Sequence, residues 1–198
     1  MKKTLWSKVL LVTVILILTI TSSSNAYSKA EDYLLPFEGG LYKVTDGPNS
    51  GMHKNHSAEA IDFDVPYGTE VYAAKPGTVS VVKIDTDGFG FWIAIHHFDG
   101  NISYYAHLSN IMVKVGQRVY YDTIVGRSGN SGNVFPKPYE CERAPYCGDH
   151  LHFEVRVAKT NEPVNIRYLV DWYKGCPNCK RYFKGEATGP LRTVDEDV

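Results

Sequence analysis

The sequence predicts a mainly β protein made of antiparallel strands, arranged as a sheet, a sandwich or an open barrel. Between residues 71 and 155, short runs of alternating apolar and polar residues are separated by turn signals that contain glycine, proline or aspartate. The spacing of apolar residues that marks an amphipathic helix is nearly absent. We expect one short helix near the C-terminal end, within residues 165–174.

The first predicted strands lie in residues 71–84, VYAAKPGTVSVVKI, around a Pro-Gly turn. Residues 91–108, FWIAIHHFDGNISYYAHL, predict a hairpin that turns at Asp-Gly-Asn. Residues 113–129 add two more short strands, which glycine and aspartate separate. His96 and His97 end the first arm of the hairpin, and we interpret them as parts of the hairpin rather than as catalytic residues.

The last predicted strand, GDHLHFEV at residues 148–155, carries two histidines one residue apart. Side chains alternate between the faces of a strand, so the apolar residues would face a core while His150 and His152 point the other way. Their Cα atoms would stand about 7 Å apart. Such a pair could bind one metal ion together, or bind a metal and relay a proton. A solvated pair on an edge strand is the alternative interpretation.

The first residues of the chain differ in composition from the rest. Three lysines precede an apolar stretch from Val9 to Ile20, which the small and polar residues TSSSNA follow. This pattern predicts an export signal over residues 1–26 with cleavage after Ala26, and therefore a periplasmic, wall-associated or secreted protein. The apolar run of about 12 to 16 residues is shorter than the ~20 needed to span a bilayer. An uncleaved membrane anchor is the alternative.

We divide the remainder into a lead-in at 27–50, a main domain at 51–175 and a C-terminal segment with a loose tail at 176–198. Three of the 21 basic residues belong to the predicted signal, which leaves 18 basic and 22 acidic residues and a net charge of about −4. This charge offers no basic surface for nucleic acid or an anionic wall polymer. Binding must therefore come from a shaped groove. The sequence predicts no particular oligomeric state.

Four cysteines occur in two local pairs, at 141 and 147 and at 176 and 179. An even number of cysteines in an exported protein favours disulfides, and we expect the local pairing, Cys141 with Cys147 and Cys176 with Cys179. A redox role for the CPNC motif and a structural zinc site made by all four thiolates are the alternatives.

A catalytic zinc site needs three protein ligands and one open position. The chain has no HExxH motif, which excludes the thermolysin-type arrangement. It has instead an aspartate, Asp62, on the polar side of the predicted strand AIDFDV, with His53 and His56 before it. If Asp62 and His152 share a metal ion, their donor atoms must lie within about 5 Å of each other.

Five blocks of the sequence together resemble the lysostaphin-type zinc endopeptidases, which cut peptides of peptidoglycan. They are HKNHSAEAIDF, GTEVYAAKPGTV, YYAHLS, VGQRVYYDTIVGRSGNSG and GDHLHFEV, and the resemblance covers roughly residues 50 to 157. It implies that His53, Asp62 and His152 bind one Zn²⁺ ion per chain. It also implies that His107 and His150 act on the substrate and the attacking water.

The first ligand has two candidates, since His53 lies nine residues before Asp62 and His56 lies six before it. We favour His53, which matches a variant form of the family's block. The resemblance implies an exported zinc endopeptidase that hydrolyses peptidoglycan stem peptides or cross-bridges, with membrane contact only through an uncleaved signal. A non-enzymatic regulator of other wall hydrolases and a zinc peptidase that acts on proteins are the alternatives.

Overall fold

A computed structural model describes residues 33–38, 42–136, 147–172 and 185–187. These ranges contain twelve β-strands and two single turns of 3-10 helix, Asn55–Ser57 and Arg167–Leu169. The strands are β1 (Val44–Asp46), β2 (Ile61–Phe63), β3 (Glu70–Tyr72), β4 (Gly77–Ile84), β5 (Phe91–His97), β6 (Asn101–Ala106), β7 (Leu108–Ile111), β8 (Arg118–Val119), β9 (Ile124–Ser128), β10 (Leu151–Val157), β11 (Val170–Trp172) and β12 (Gly185–Ala187).

The strands form three sheets, in which every described pairing is antiparallel. The largest has seven strands in the order β1-β2-β10-β6-β5-β4-β8. A three-stranded sheet has the order β3-β9-β7, and β11 pairs with β12. In the described part of the chain, none of the sheets closes into a barrel. The predicted mainly β, antiparallel class is therefore confirmed.

The predicted hairpin at residues 91–108 is present as β5 and β6. Ile93 pairs with Tyr105 and His96 pairs with Ile102 across it. At the turn, Gly100 has φ of +82°, in the left-handed region that glycine adopts without strain. The two strands predicted within residues 71–84 are also present, but β3 and β4 belong to different sheets.

The short helix expected within residues 165–174 is reduced to the single 3-10 turn Arg167–Leu169, and the chain then enters β11. The apolar residues Ile166, Leu169 and Val170 have helix-like spacing and are all buried. One turn is enough to bring them to the core, and pairing with β12 then satisfies the backbone of residues 170–172. Residues 173 and 174 lie outside the described ranges.

One continuous core of buried apolar side chains joins the seven-stranded and three-stranded sheets. On β10 the residues predicted to face the core, Leu151, Phe153 and Val155, are at most 1% exposed. The predicted lead-in also contributes to this core, through Tyr33, Leu35 and Phe37. The first residue of the main domain, expected at 51, stays a prediction.

None of the helical turns in the described part of the chain has the length and apolar character that crossing a bilayer requires. The predicted signal at residues 1–26 lies outside the described ranges, as does the predicted C-terminal segment except for 185–187. Cys147 is buried, whereas Cys141, Cys176 and Cys179 lie outside those ranges. The predicted disulfide pairing stays a prediction.

Candidate metal centre

Asp62 and His152 lie directly opposite each other on neighbouring strands. β2 and β10 are antiparallel, and their register pairs Leu151 with Phe63, His152 with Asp62 and Phe153 with Ile61. Opposed residues of an antiparallel pair point to the same face. Oδ1 of Asp62 is therefore 2.9 Å from Nδ1 of His152, within the 5 Å that a shared metal ion requires.

His53 reaches the same carboxylate from the loop between β1 and β2. Its Nδ1 lies 3.0 Å from the carbonyl oxygen of Gly47, which can only accept a hydrogen bond, so Nδ1 donates. Its Nε2 then faces Oδ1 of Asp62 at 3.2 Å. Ser50 closes the loop, since its hydroxyl donates to the Gly47 carbonyl at 2.6 Å.

Together His53, Asp62 and His152 offer two imidazole nitrogens and one carboxylate oxygen, all within 4.8 Å of one another. The second candidate, His56, is not part of this group. It is exposed in the 3-10 turn, and its Nδ1 lies 3.2 Å from the carbonyl of Asn161. Between the two histidines that the sequence offered, the fold brings His53 to Asp62.

His107 and His150 stand beside this group of three. Their ring centroids are 4.6 Å apart, and that of His107 is 5.9 Å from that of His152. Nδ1 of His107 donates to the carbonyl of Ser131 at 2.8 Å, and Nδ1 of His150 donates to that of Gly148 at 2.8 Å. In its neutral form either ring therefore keeps a lone pair on Nε2. Nε2 of His150 lies 3.7 Å from Oδ2 of Asp62.

His107 is held in an unusual backbone conformation where β6 ends. Its φ is +59°, a left-handed value that costs a residue with a side chain of order 1–3 kcal/mol. Its backbone N–H donates to the carbonyl of Phe89 at 2.9 Å, and its ring is fixed by Ser131. The loops that carry these two partners touch at Gly90 and Gly132, where an added Cβ would lie within 2.4 Å of the facing backbone.

The cluster requires positive charge. Burial alone raises the pKa of Asp62, but the charge of His150 and hydrogen bonding by His152 and His53 hold it well below its usual value. Burial alone lowers the pKa of His152, but the neighbouring carboxylates of Asp62 and Glu154 raise it to about 10. Protons therefore occupy the cluster in the metal-free protein, and a bound cation would displace them.

The pKa of His107 is lowered, in contrast to that of His152. Burial, together with the charges of His150 and His152, lowers the pKa of His107 to about 3. This ring is therefore neutral at neutral pH, and its Nε2 is an acceptor.

The sequence profile of peptidase family M23 matches residues 56–166. The chain belongs to peptidase family M23. The resemblance to lysostaphin-type peptidases seen in the five sequence blocks is thereby confirmed. The matched residues include Asp62, His107, His150 and His152, and His53 lies three residues before them.

Relatives of this M23 chain include the peptidoglycan DD-endopeptidase ShyA of Vibrio cholerae, to which it is 36% identical over 104 residues. That match covers 52% of this chain and 21% of the relative. A zinc-containing peptidase from Vibrio cholerae superimposes with a TM-score of 0.51 at 28% identity, over 68% of this chain and 39% of that one. A mutant catalytic domain of the prophage-encoded M23 protein EnpA from Enterococcus faecalis superimposes with a TM-score of 0.50 at 26% identity. That match covers 66% of this chain and 94% of the EnpA domain.

The cluster of His53, Asp62 and His152 lies at the bottom of an open groove of about 350 Å³. Apolar walls rise beside it, formed by Phe89, Val134 and the exposed side chains of Met52 and Phe135. The described residues that line the groove include no lysine or arginine, and Asp46 adds an acidic group to that of Asp62. The charge of the described lining therefore favours a neutral or cationic ligand over an anionic one.

Sequence reasoning missed the wall residues. Phe89 lies between Gly88 and Gly90, and its ring centroid is 5.0 Å from that of His152. An aromatic residue flanked by glycines was the available signal, because glycines let a backbone approach a site closely. Met52 and Phe135 lie in loops without periodicity and left no signal of this kind.

His96 and His97 lie at the end of β5 and do not line the groove. His97 is fully buried, with Nδ1 2.9 Å from the Pro76 carbonyl and Nε2 2.8 Å from the Ser103 hydroxyl. This is the structural placement that the sequence predicts for them.

Proposed function

We propose that this chain is a zinc-dependent endopeptidase that acts outside the cytoplasm and hydrolyses peptide bonds in peptidoglycan stem peptides or cross-bridges. The observation that carries the proposal is the convergence of His53, Asp62 and His152 within 4.8 Å at the bottom of an open groove, beside two further histidines. Three protein ligands and an open side are the pattern of a catalytic zinc site, whereas structural sites are closed by four.

The donor atoms fit a divalent cation. Because Nδ1 of His53 donates to Gly47, its Nε2 presents a lone pair to the Asp62 carboxylate at 3.2 Å. Two acceptors at this distance repel unless a cation or proton lies between them. Nitrogen and carboxylate donors are ordinary ligands for Zn²⁺, so His53 Nε2, Asp62 Oδ1 and His152 Nδ1 are the atoms that would hold it.

Zinc supplies Lewis acidity, which lowers the pKa of water and polarises a peptide carbonyl. His150 is placed to accept the proton of the attacking water, because its Nε2 lone pair lies 3.7 Å from Asp62, next to the ligands. The proton that His150 accepts can then pass to the departing amine, directly or through Nε2 of His107, whose ring is 4.6 Å from that of His150.

Two observations support peptidoglycan peptides as substrates. Two relatives that are 36% and 32% identical to this chain over the matched segments are named peptidoglycan DD-endopeptidases, and those segments cover 21% and 22% of their length. The groove is open and apolar at its walls, and its described lining has no lysine or arginine, which suits an extended peptide rather than an anionic polymer.

The test measures metal content and peptide cleavage on the same protein. The chain without residues 1–26 is purified, its metal is determined by mass spectrometry, and release of free amines from purified wall sacculi is followed. We expect about one zinc per chain and a time-dependent release of amines. His150→Ala and His107→Ala should each lose 10²-fold or more in rate with zinc retained, since each removes a proton-transfer group. His152→Ala should lose the metal.

His56→Ala is the matched control, because His56 precedes the same strand but faces Asn161 instead of the cluster. It should keep zinc and rate. Wild-type protein that binds no zinc, or that binds zinc and releases no amines from sacculi, would contradict the proposal. Cleavage of denatured proteins at a higher rate than sacculi would contradict the substrate assignment alone.

A further inference from the structure

Glu154 is a carboxylate buried directly behind His152. Its side chain is 2% exposed, and Oε2 lies 3.8 Å from Nε2 of His152. Carboxylates are almost never fully buried unless they are paired, because desolvating the charge costs several kcal/mol. A charge at this position, on the side of the imidazole that faces away from Asp62, therefore needs a reason.

The alternation of β10 places three functional groups in line. Residues 152, 154 and 156 lie on the same face of the strand, so Arg156 comes next after Glu154. Its guanidinium is in direct contact with Oε1 of Glu154. It also stacks on the ring of Tyr104, with Cζ 4.6 Å from the ring centroid.

Arg156 is fixed by two other parts of the chain as well. Nη2 donates to the hydroxyl of Ser57 at 3.2 Å, and Nη1 donates to Oδ1 of Asn161 at 3.3 Å. Arg156 thus holds one oxygen of Glu154 and leaves the other, Oε2, turned toward His152.

His152 and Glu154 each turn toward the other an atom that could form a hydrogen bond, but the two atoms are too far apart to do so. Nε2 of His152 and Oε2 of Glu154 are both buried, and neither has a hydrogen-bond partner among the described residues. Their separation of 3.8 Å exceeds the 2.7–3.2 Å of an N–H···O bond by less than about 1 Å. A small rotation of the imidazole would close this gap.

Metal binding at Nδ1 supplies the reason for that rotation. A neutral imidazole carries one hydrogen, so a ring that offers its Nδ1 lone pair to a cation must carry the hydrogen on Nε2. That hydrogen points at Oε2 of Glu154. Metal-bound histidines commonly donate their second N–H to a carboxylate, which fixes the tautomer and the ring orientation.

We propose that Glu154 is a positioning residue of the metal site, which accepts a hydrogen bond from Nε2 of His152 and thereby holds Nδ1 toward Asp62 and His53. Arg156 holds Glu154 in place. The inference rests on the proposed zinc site and adds a residue to it that touches neither metal nor substrate.

The test compares zinc affinities of metal-free proteins. Glu154→Gln keeps the size of the side chain and removes its charge, and we expect its zinc dissociation constant to rise 10- to 100-fold. Glu70→Gln is the matched control, because Glu70 also lies on a strand and pairs with an arginine, Arg127, at 2.8 Å, but does not line the groove. Its dissociation constant should equal that of wild type. Affinities are measured by competition with a chromophoric chelator.

A second measurement does not depend on a variant that folds. Nitrogen-15 NMR of the zinc-loaded wild-type side chains should show a proton on Nε2 of His152, shifted far downfield and slow to exchange with water. In Glu154→Gln this resonance should move upfield. A purely structural role of Glu154 would lower thermal stability without moving either the resonance or the zinc affinity.

The outcomes separate this inference from the proposed function. If wild-type protein binds no zinc, both are wrong. If wild type binds zinc but Glu154→Gln binds it equally tightly, only the positioning role is wrong. A zinc-loaded wild type with the His152 proton on Nδ1, or with a rapidly exchanging Nε2 proton, also overturns the positioning role.

Discussion

His97 should make the folded protein sensitive to mild acid. The ring is fully buried at the end of β5, where Nδ1 donates to the Pro76 carbonyl and Nε2 accepts from the Ser103 hydroxyl. Burial lowers the pKa of His97 from 6.5 to about 4, since a charged imidazole loses its hydration there. The unfolded chain keeps the ordinary value.

The sign and size of the effect follow from proton linkage. Between pH 6.5 and 4 the unfolded state binds a proton at this site and the folded state does not, so acid favours unfolding. The stabilisation is complete above pH 6.5 and is lost as the pH falls toward 4. Each pH unit in this window removes about 1.4 kcal/mol from the free energy of unfolding, and the whole shift removes about 3 kcal/mol. Domains have only ~5–15 kcal/mol in total.

The assay is urea unfolding of metal-free protein, followed by tryptophan fluorescence from pH 4 to 7.5. His97→Gln does not titrate, so the free energy of unfolding of wild type should fall relative to this variant by about 1.4 kcal/mol per pH unit below pH 6. His96→Gln, at the neighbouring exposed position, should follow wild type. Identical slopes for wild type and His97→Gln would refute the reasoning, whatever their difference at neutral pH.

Three further outcomes are expected. Gly132→Ala should lower the cleavage rate about 10²-fold with zinc retained, because the added Cβ would lie 2.4 Å from backbone and displace the loop that orients His107. Gly116 has a similar φ but open space around it, so Gly116→Ala controls for backbone strain in the same rate assay. Met52→Ala and Phe135→Ala should each raise KM several-fold and leave kcat unchanged in steady-state kinetics, since groove walls bind ground and transition states alike. Phe153→Ala should lower the free energy of unfolding by about 3–5 kcal/mol in urea titrations, because its ring is fully buried.

Much of the candidate site could be predicted because strand periodicity is local. The alternation of apolar and polar residues in GDHLHFEV places His150 and His152 on one face wherever the strand pairs. The same alternation in AIDFDV predicts that Asp62 lies on the polar side of its strand. The hairpin turn at Asp-Gly-Asn is another local property, since its conformation depends on the few residues that form it.

The loops could not be predicted, because their conformations depend on partners far away in the chain. His56, for example, is oriented by the carbonyl of Asn161, 105 residues later. Part of the helix expected near the C-terminal end is likewise replaced by β11, which pairs with β12. The pair formed by buried Glu154 and partly buried Arg156 looks in the sequence like two charged residues on a solvated face.

The amino-acid sequence alone therefore determined the β class, the faces on which the histidines stand and the resemblance to a peptidase family, because each depends on neighbouring residues. Only the tertiary structure decided that β2 lies beside β10, that His53 rather than His56 meets Asp62, and that a buried carboxylate stands behind His152. Sheet register and burial are set by pairing between segments some 90 residues apart, and no local pattern carries that information.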